Sequence, residues 1–124
     1  MKRSLLLLGS TLGFFGVALG AFGAHGLKSI LAPDMLVIFE TAVRYHMYHV
    51  FAIILTALLA ERNPAAGTAG RLFGLGILLF SGSLYVLALT GIRTFGMITP
   101  FGGLSFLAGW GMLATAAFKM KKEG

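Results

Sequence analysis

A bundle of four membrane-spanning α-helices is the fold class that this sequence predicts, and three observations carry the prediction. Apolar runs long enough to cross a bilayer recur four times, at 5–24, 43–60, 72–90 and 101–118. Lysine and arginine gather at one set of run ends and are sparse at the other. The first run also carries glycines at alternating spacings of four and three, the mark of a helix face that lies close against another helix.

Composition leaves little room for a water-soluble alternative. The chain has 124 residues, enough for one domain, and is 57% apolar but only 11% charged. An ordinary globular domain is roughly 25% charged, and so few charges cannot clad a water-facing surface. Lipid removes that difficulty. There is no cysteine, so disulfides, thiolate metal sites and a cysteine nucleophile are excluded. The net charge of +6 does not point to nucleic acid, because the basic residues sit where apolar runs end, and no basic helix or aromatic-lined groove accompanies them.

The first run, 5–24, begins after Lys2-Arg3 and carries Gly9, Gly13, Gly16, Gly20 and Gly23. A seven-residue repeat places all five on one stripe, expected to pack within the chain ahead of serving as a dimer face. Lys2-Arg3 and Ala21-Phe22-Gly23 also resemble the ends of a signal peptide, but the run exceeds the ~7–15 residues of such a segment, so retention is expected. The second helix is predicted to start at Pro33-Asp34 and run to Ala60, ~40 Å at 1.5 Å per residue, with an interfacial part at 35–42. Asn63-Pro64 stops it, and Gly67–Gly70 reads as a flexible turn. The third helix ends at Gly91, and Thr99-Pro100 reads as N-cap and first residue of the fourth.

Four crossings place both termini on one side. Seven basic residues share it: Lys2, Arg3, Arg62, Arg71, Lys119, Lys121 and Lys122. Lys28, Arg44 and Arg93 lie opposite. This asymmetry predicts a multi-pass membrane protein with both termini and the middle loop in the cytoplasm.

Polar residues are costly in lipid and concentrate at one place, Glu40 to His49. His49 is expected ~16 Å from Ala60, near mid-depth. Glu40 and Arg44 share a helix face and can pair, Tyr45 and His49 share another, and Tyr48 lies beside the first pair. His46 points nearly opposite Arg44, so the polar groups wrap the helix and one pocket cannot easily collect them all; either protein surrounds the segment or it sits higher, among the headgroups. The plain reading is an interfacial tyrosine belt with Arg44 reaching phosphate. Binding readings compete with it: a lipid headgroup at Arg44, a metal at His46 and His49 with His25 as the third ligand, or a b-type haem. An outer-side polar cap is the composite expectation, with His25, Glu40, Arg44 and either Ser83 or Tyr85 joined by hydrogen bonds. No HExxH, P-loop or GxSxG motif is present, so no catalytic residues are assigned.

Four segments in order, Gly20-Ala21-Phe22-Gly23-Ala24-His25-Gly26-Leu27, Tyr45-His46-Met47-Tyr48-His49, Leu79-Phe80-Ser81-Gly82-Ser83-Leu84-Tyr85 and Ile98-Thr99-Pro100-Phe101-Gly102-Gly103, resemble the YwdK/YgdD family of small bacterial inner-membrane proteins. The resemblance covers nearly the whole chain. It implies an integral membrane protein and brings no activity, cofactor or catalytic residue with it. The functional expectation is therefore a structural or interaction module, an accessory part of a homo-oligomer or larger membrane complex in contact with lipid. The alternative is a binding protein that uses the His/Arg/Tyr cluster, its cofactor not specified by the sequence.

Overall fold

Helix ends follow the chemistry of their first and last residues. The computed structural model describes residues 2–121. Helix α1 covers Arg3–Leu27, with its last turn, Gly23–Leu27, wound as a π-helix. Helix α2 covers Pro33–Leu59 and α3 covers Pro64–Thr90, the latter holding a π-turn at Ile77–Ser81. A 3₁₀ turn at Arg93–Met97 leads into α4, Thr99–Phe118. Pro33, Pro64 and Pro100 occupy first-turn positions, where a missing N–H costs nothing. Gly91 ends α3 in the left-handed conformation, φ 73°, and its N–H donates to the Leu87 carbonyl at 2.7 Å.

Two local expectations are corrected. The stretch Gly67–Gly70 is helical rather than a turn, and the reversal is confined to residues 60–63. Pro64 starts α3 at once, and Gly70 behind it is needed as a close-contact position. A β-carbon on Gly70 would collide with the Thr56 hydroxyl and lie 3.0 Å from Leu5. The turn reading priced glycine as water does, whereas in lipid close backbone approach outweighs its poor helix propensity. Thr99 is likewise no N-cap: it lies within α4, and its hydroxyl is 2.6 Å from that of Ser83 on α3.

All four helices are long and apolar enough to cross a membrane. Successive helices pack on one another, α1 on α2, α2 on α3 and α3 on α4, in an up-and-down order. The inner pair is the more enclosed: 44% of the most apolar window of α2 is buried, against 17% for α1. Both chain ends and the 60–63 turn meet at one end of the bundle. There the Lys2 N–H donates to the Ala57 carbonyl at 2.8 Å, and the Asn63 side-chain amide donates to the Ala116 carbonyl at 3.1 Å. The core near this end gathers Leu5, Ile53, Ala57, Phe73 and Phe106. Leu27, Phe39 and Ala88 form a smaller one at the far end. Large apolar side chains such as Phe14, Phe51 and Leu107 stay exposed around the girth, as a lipid-facing surface requires.

The glycine stripe of α1 meets α2 in antiparallel register. Gly9 lies against Ile53 and Ile54, Gly13 against Val50, Gly16 against His46 and Met47, Gly20 against Val43, and Gly23 against Phe39. Space is tight at every step: a β-carbon would fall 2.9 Å from Ile54 at Gly9 and 2.7 Å from the Phe39 ring at Gly23. A smooth groove on one helix thus receives a ridge of large side chains from the other, which maximises dispersion contact where no hydrophobic effect separates helix from lipid.

Candidate functional site

His46 and His49 are three residues apart on α2, so their rings leave the helix ~60° apart and enter different interfaces. His46 is buried between α1 and α3. Its Nε2 is 2.7 Å from the Leu12 carbonyl oxygen, which can only accept, so Nε2 carries the proton. Nδ1 then holds a lone pair, and the Tyr85 hydroxyl donates to it at 2.8 Å. One imidazole therefore joins three helices. Gly16 makes room for this reach: a β-carbon there would collide with the Met47 sulfur and sit 3.2 Å from Nε2.

His49 carries the opposite assignment. Its Nδ1–H donates to the Tyr45 carbonyl at 2.7 Å within α2, and Nε2 accepts the indole N–H of Trp110 on α4 at 3.1 Å. Phe106 stacks on the ring, with centroids 3.6 Å apart and planes 7° from parallel. Phe73 of α3 flanks it with a centroid distance of 5.5 Å. Each ring thus has both nitrogens engaged.

The serines continue the pattern. Ser81 donates to the Ala42 carbonyl at 2.7 Å, tying α3 to α2, and Ser105 donates to the Leu72 carbonyl at 2.7 Å, tying α4 to α3. The π-turn at Ile77–Ser81 widens α3 where Ser81 crosses to α2. Among the described residues, no buried side-chain nitrogen or oxygen lacks a hydrogen-bond partner.

The expected polar cap does not assemble as a unit. Glu40 and Arg44 are exposed and form no ion pair with each other; the ion pair seen among the described residues is Arg93–Asp34, 3.2 Å and well exposed. The reason is geometric. The α1–α2 contact is filled by Val43 and Phe39 against Gly20 and Gly23, which leaves Glu40 and Arg44 on the rim of a shallow furrow. His25 is exposed in the π-turn that ends α1, away from both buried histidines. Ser83 pairs with Thr99, while Tyr85 goes to His46. Among the described residues, no group of three histidines or acids is close enough to hold a metal ion. Iron or another metal at His46 or His49 would first have to displace one of the hydrogen bonds described.

Tyr45 and Tyr48 lie elsewhere. With His49, Phe80, Leu104 and Trp110 they line a groove of about 920 Å³ between α2 and α4, open sideways toward lipid. The helices approach here through aromatic side chains rather than backbone, which leaves the groove between them. Sequence reading missed Trp110. The available signal was its position deep in a span, since an indole N–H in hydrocarbon needs an acceptor and the chain has one tryptophan.

These features define a small four-helix integral membrane protein whose interior polar groups are hydrogen-bonded within the bundle. The chain belongs to the family described as "Protein of unknown function (DUF423)", whose model matches residues 19–103. It is similar to the UPF0382 membrane protein YwdK of Bacillus subtilis, at 44% identity over 94% of this chain and 98% of that one. A UPF0382 membrane protein of Haemophilus influenzae is 47% identical over 98% of both chains. The UPF0382 inner membrane protein YgdD of Escherichia coli is 38% identical over 99% of this chain and 95% of its own. No solved structure matches. The family resemblance read from the four sequence segments therefore holds, and the family description assigns no activity.

The two tautomers provide a direct check. Nitrogen-15 NMR of histidine-labelled protein in bilayers is expected to show His46 protonated at Nε2 and His49 at Nδ1. Finding the same tautomer at both positions would contradict the hydrogen-bond assignment.

Proposed function

We propose that the protein is an accessory interaction module whose working surface is the aromatic groove between α2 and α4, and that the groove receives side chains of another transmembrane helix. One observation carries this reading. Buried polar groups are already bonded inside the bundle, while the groove offers a large concave surface facing lipid. Its volume lies in the range of ligand pockets, roughly 300–1,000 Å³. Next to the groove, the outer side of α4 adds small positions. Ala108 is exposed, and a β-carbon on Gly111 would meet nothing within 4 Å. Small residues on a lipid-facing surface let a second helix come close, whereas lipid tails gain little from them. The hydroxyls of Tyr45 and Tyr48 add polar contacts to the same groove, and such contacts favour a helix partner with a matching acceptor. The partner is a second copy or a subunit of a larger complex.

A photocrosslinking residue separates the outcomes. Benzoylphenylalanine in place of Leu104, in native membranes, is expected to give discrete protein adducts, while the same residue in place of Phe15 on the exposed face of α1 gives lipid adducts. Lipid adducts alone from both positions would refute a helix-docking role.

The orientation proposed is that of the charge asymmetry, with both termini and the 60–63 turn in the cytoplasm of a bacterial inner-membrane protein. YgdD is named an inner membrane protein, which supports the location. The absence of cysteine makes the test clean. Single cysteines in place of Ala65 and Lys121 should resist a membrane-impermeant maleimide in intact cells, and one in place of Thr94 should react. The reverse pattern would overturn the orientation.

A further inference from the structure

A second cleft opens between α2 and α4 at the end of the bundle that bears both termini, below the groove described above. Leu58, Leu59, Leu113, Ala117 and Met120 wall it, Arg62 stands at its mouth, and its volume is about 570 Å³. The bond from Asn63 to the Ala116 carbonyl, 3.1 Å, ties the 60–63 turn to α4 beside it. Glu61 also lines the mouth, and it is already partnered. The same end carries Lys2, Arg3, Arg71, Lys119 and Lys121, all exposed, and Glu61 is its one acid among the described residues.

We propose that this cleft binds an anionic phospholipid, one acyl chain lying between α2 and α4 and the phosphate resting on Arg62. The chemistry of the cleft changes along its length in the order that a phospholipid does. Leucine, alanine and methionine walls suit a hydrocarbon chain. Arg62 follows directly after the last apolar turn of α2, at the depth of the headgroups. A partner helix would bring backbone past Arg62 without a counter-charge, whereas an anionic lipid supplies both the chain and the charge. The surrounding lysines and arginines raise the local concentration of such lipids. This inference uses a different cleft from the helix-docking reading and stands or falls separately from it.

The test uses the full chain in a zwitterionic detergent, titrated with phosphatidylglycerol or with phosphatidylcholine of the same acyl chains. Retained lipid is counted by native mass spectrometry, and the melting temperature of every variant is recorded. One phosphatidylglycerol should be retained per chain, at least about fivefold more tightly than phosphatidylcholine, the effect expected of one basic residue near the surface. Arg62→Gln should remove most of that preference and leave phosphatidylcholine binding unchanged. Ala117→Phe should fill the cleft and weaken both lipids. Leu58→Gln, on an exposed wall position, provides a second apolar-wall variant should Ala117→Phe melt early. Equal retention of the two lipids would overturn the proposal. So would loss in Arg62→Gln with full retention in both wall variants, which would mean a headgroup patch without a chain slot.

Discussion

Water is absent from the hydrocarbon interior, so every polar group placed there must find its partner inside the protein. That constraint organises this bundle, and the contact between His46 and the Leu12 carbonyl expresses it most directly. The imidazole bonds to a carbonyl of α1 and to the Tyr85 hydroxyl of α3 at once. It can do so because Gly16 leaves a gap at that point in the glycine stripe. The small-residue surface and the polar interior are therefore one design. The stripe brings the backbones close enough for side chains to reach carbonyls, and the hydrogen bonds fix the register at which the stripe lies. Individual bonds of this kind are modest, about 0.6 kcal/mol on average in membranes, because the separated helices also find partners. Their effect here comes from number and placement, since each neighbouring pair of helices is tied.

Much of this architecture was legible in the sequence. The 3.5-residue spacing of Gly9, Gly13, Gly16, Gly20 and Gly23 is a property of a single helix and needs no knowledge of the neighbour. Proline at helix starts and Gly91 at a helix end are also local signals. The failures have a common cause. Gly67 and Gly70 suggest a loop when judged by propensity in water, but both are helical, and Gly70 is a contact point of α3 with α1 and α2. Glu40 and Arg44 are one turn apart and suggest a pair, yet whether a face is covered depends on where α1 crosses. The ~60° offset between His46 and His49 was readable, but it left a shared metal site open as well as separate surroundings. Which helices receive them is tertiary information. Trp110 shows the same limit: its need for an acceptor was visible, but the acceptor lies 61 positions away.

The bundle is asymmetric in a way that bears on its role. Glycine contacts close the α1–α2 side, while aromatic rings hold α2 and α4 apart and leave concave surfaces toward lipid. Along that side the chemistry changes from tyrosine and tryptophan near one end to leucine walls and arginine near the other. With its histidines already bonded at both nitrogens, activity at those rings would require the bundle itself to loosen.

The dependence of the polar interior on the glycine gap can be measured by reversible unfolding in bicelles. Gly16→Ala is compared in two backgrounds, Met47→Ala alone and Met47→Ala with His46→Ala, because the Met47 sulfur is the atom nearest the new methyl group. In the first, with the Met47 sulfur gone, the added methyl group crowds the imidazole and should cost about 1–3 kcal/mol. With the ring removed, that cost should fall by ~1 kcal/mol or more, the coupling expected of residues in direct contact. An equal cost in both backgrounds would show that the ring does not use the gap, and the account of how α1 is held to the bundle would be wrong.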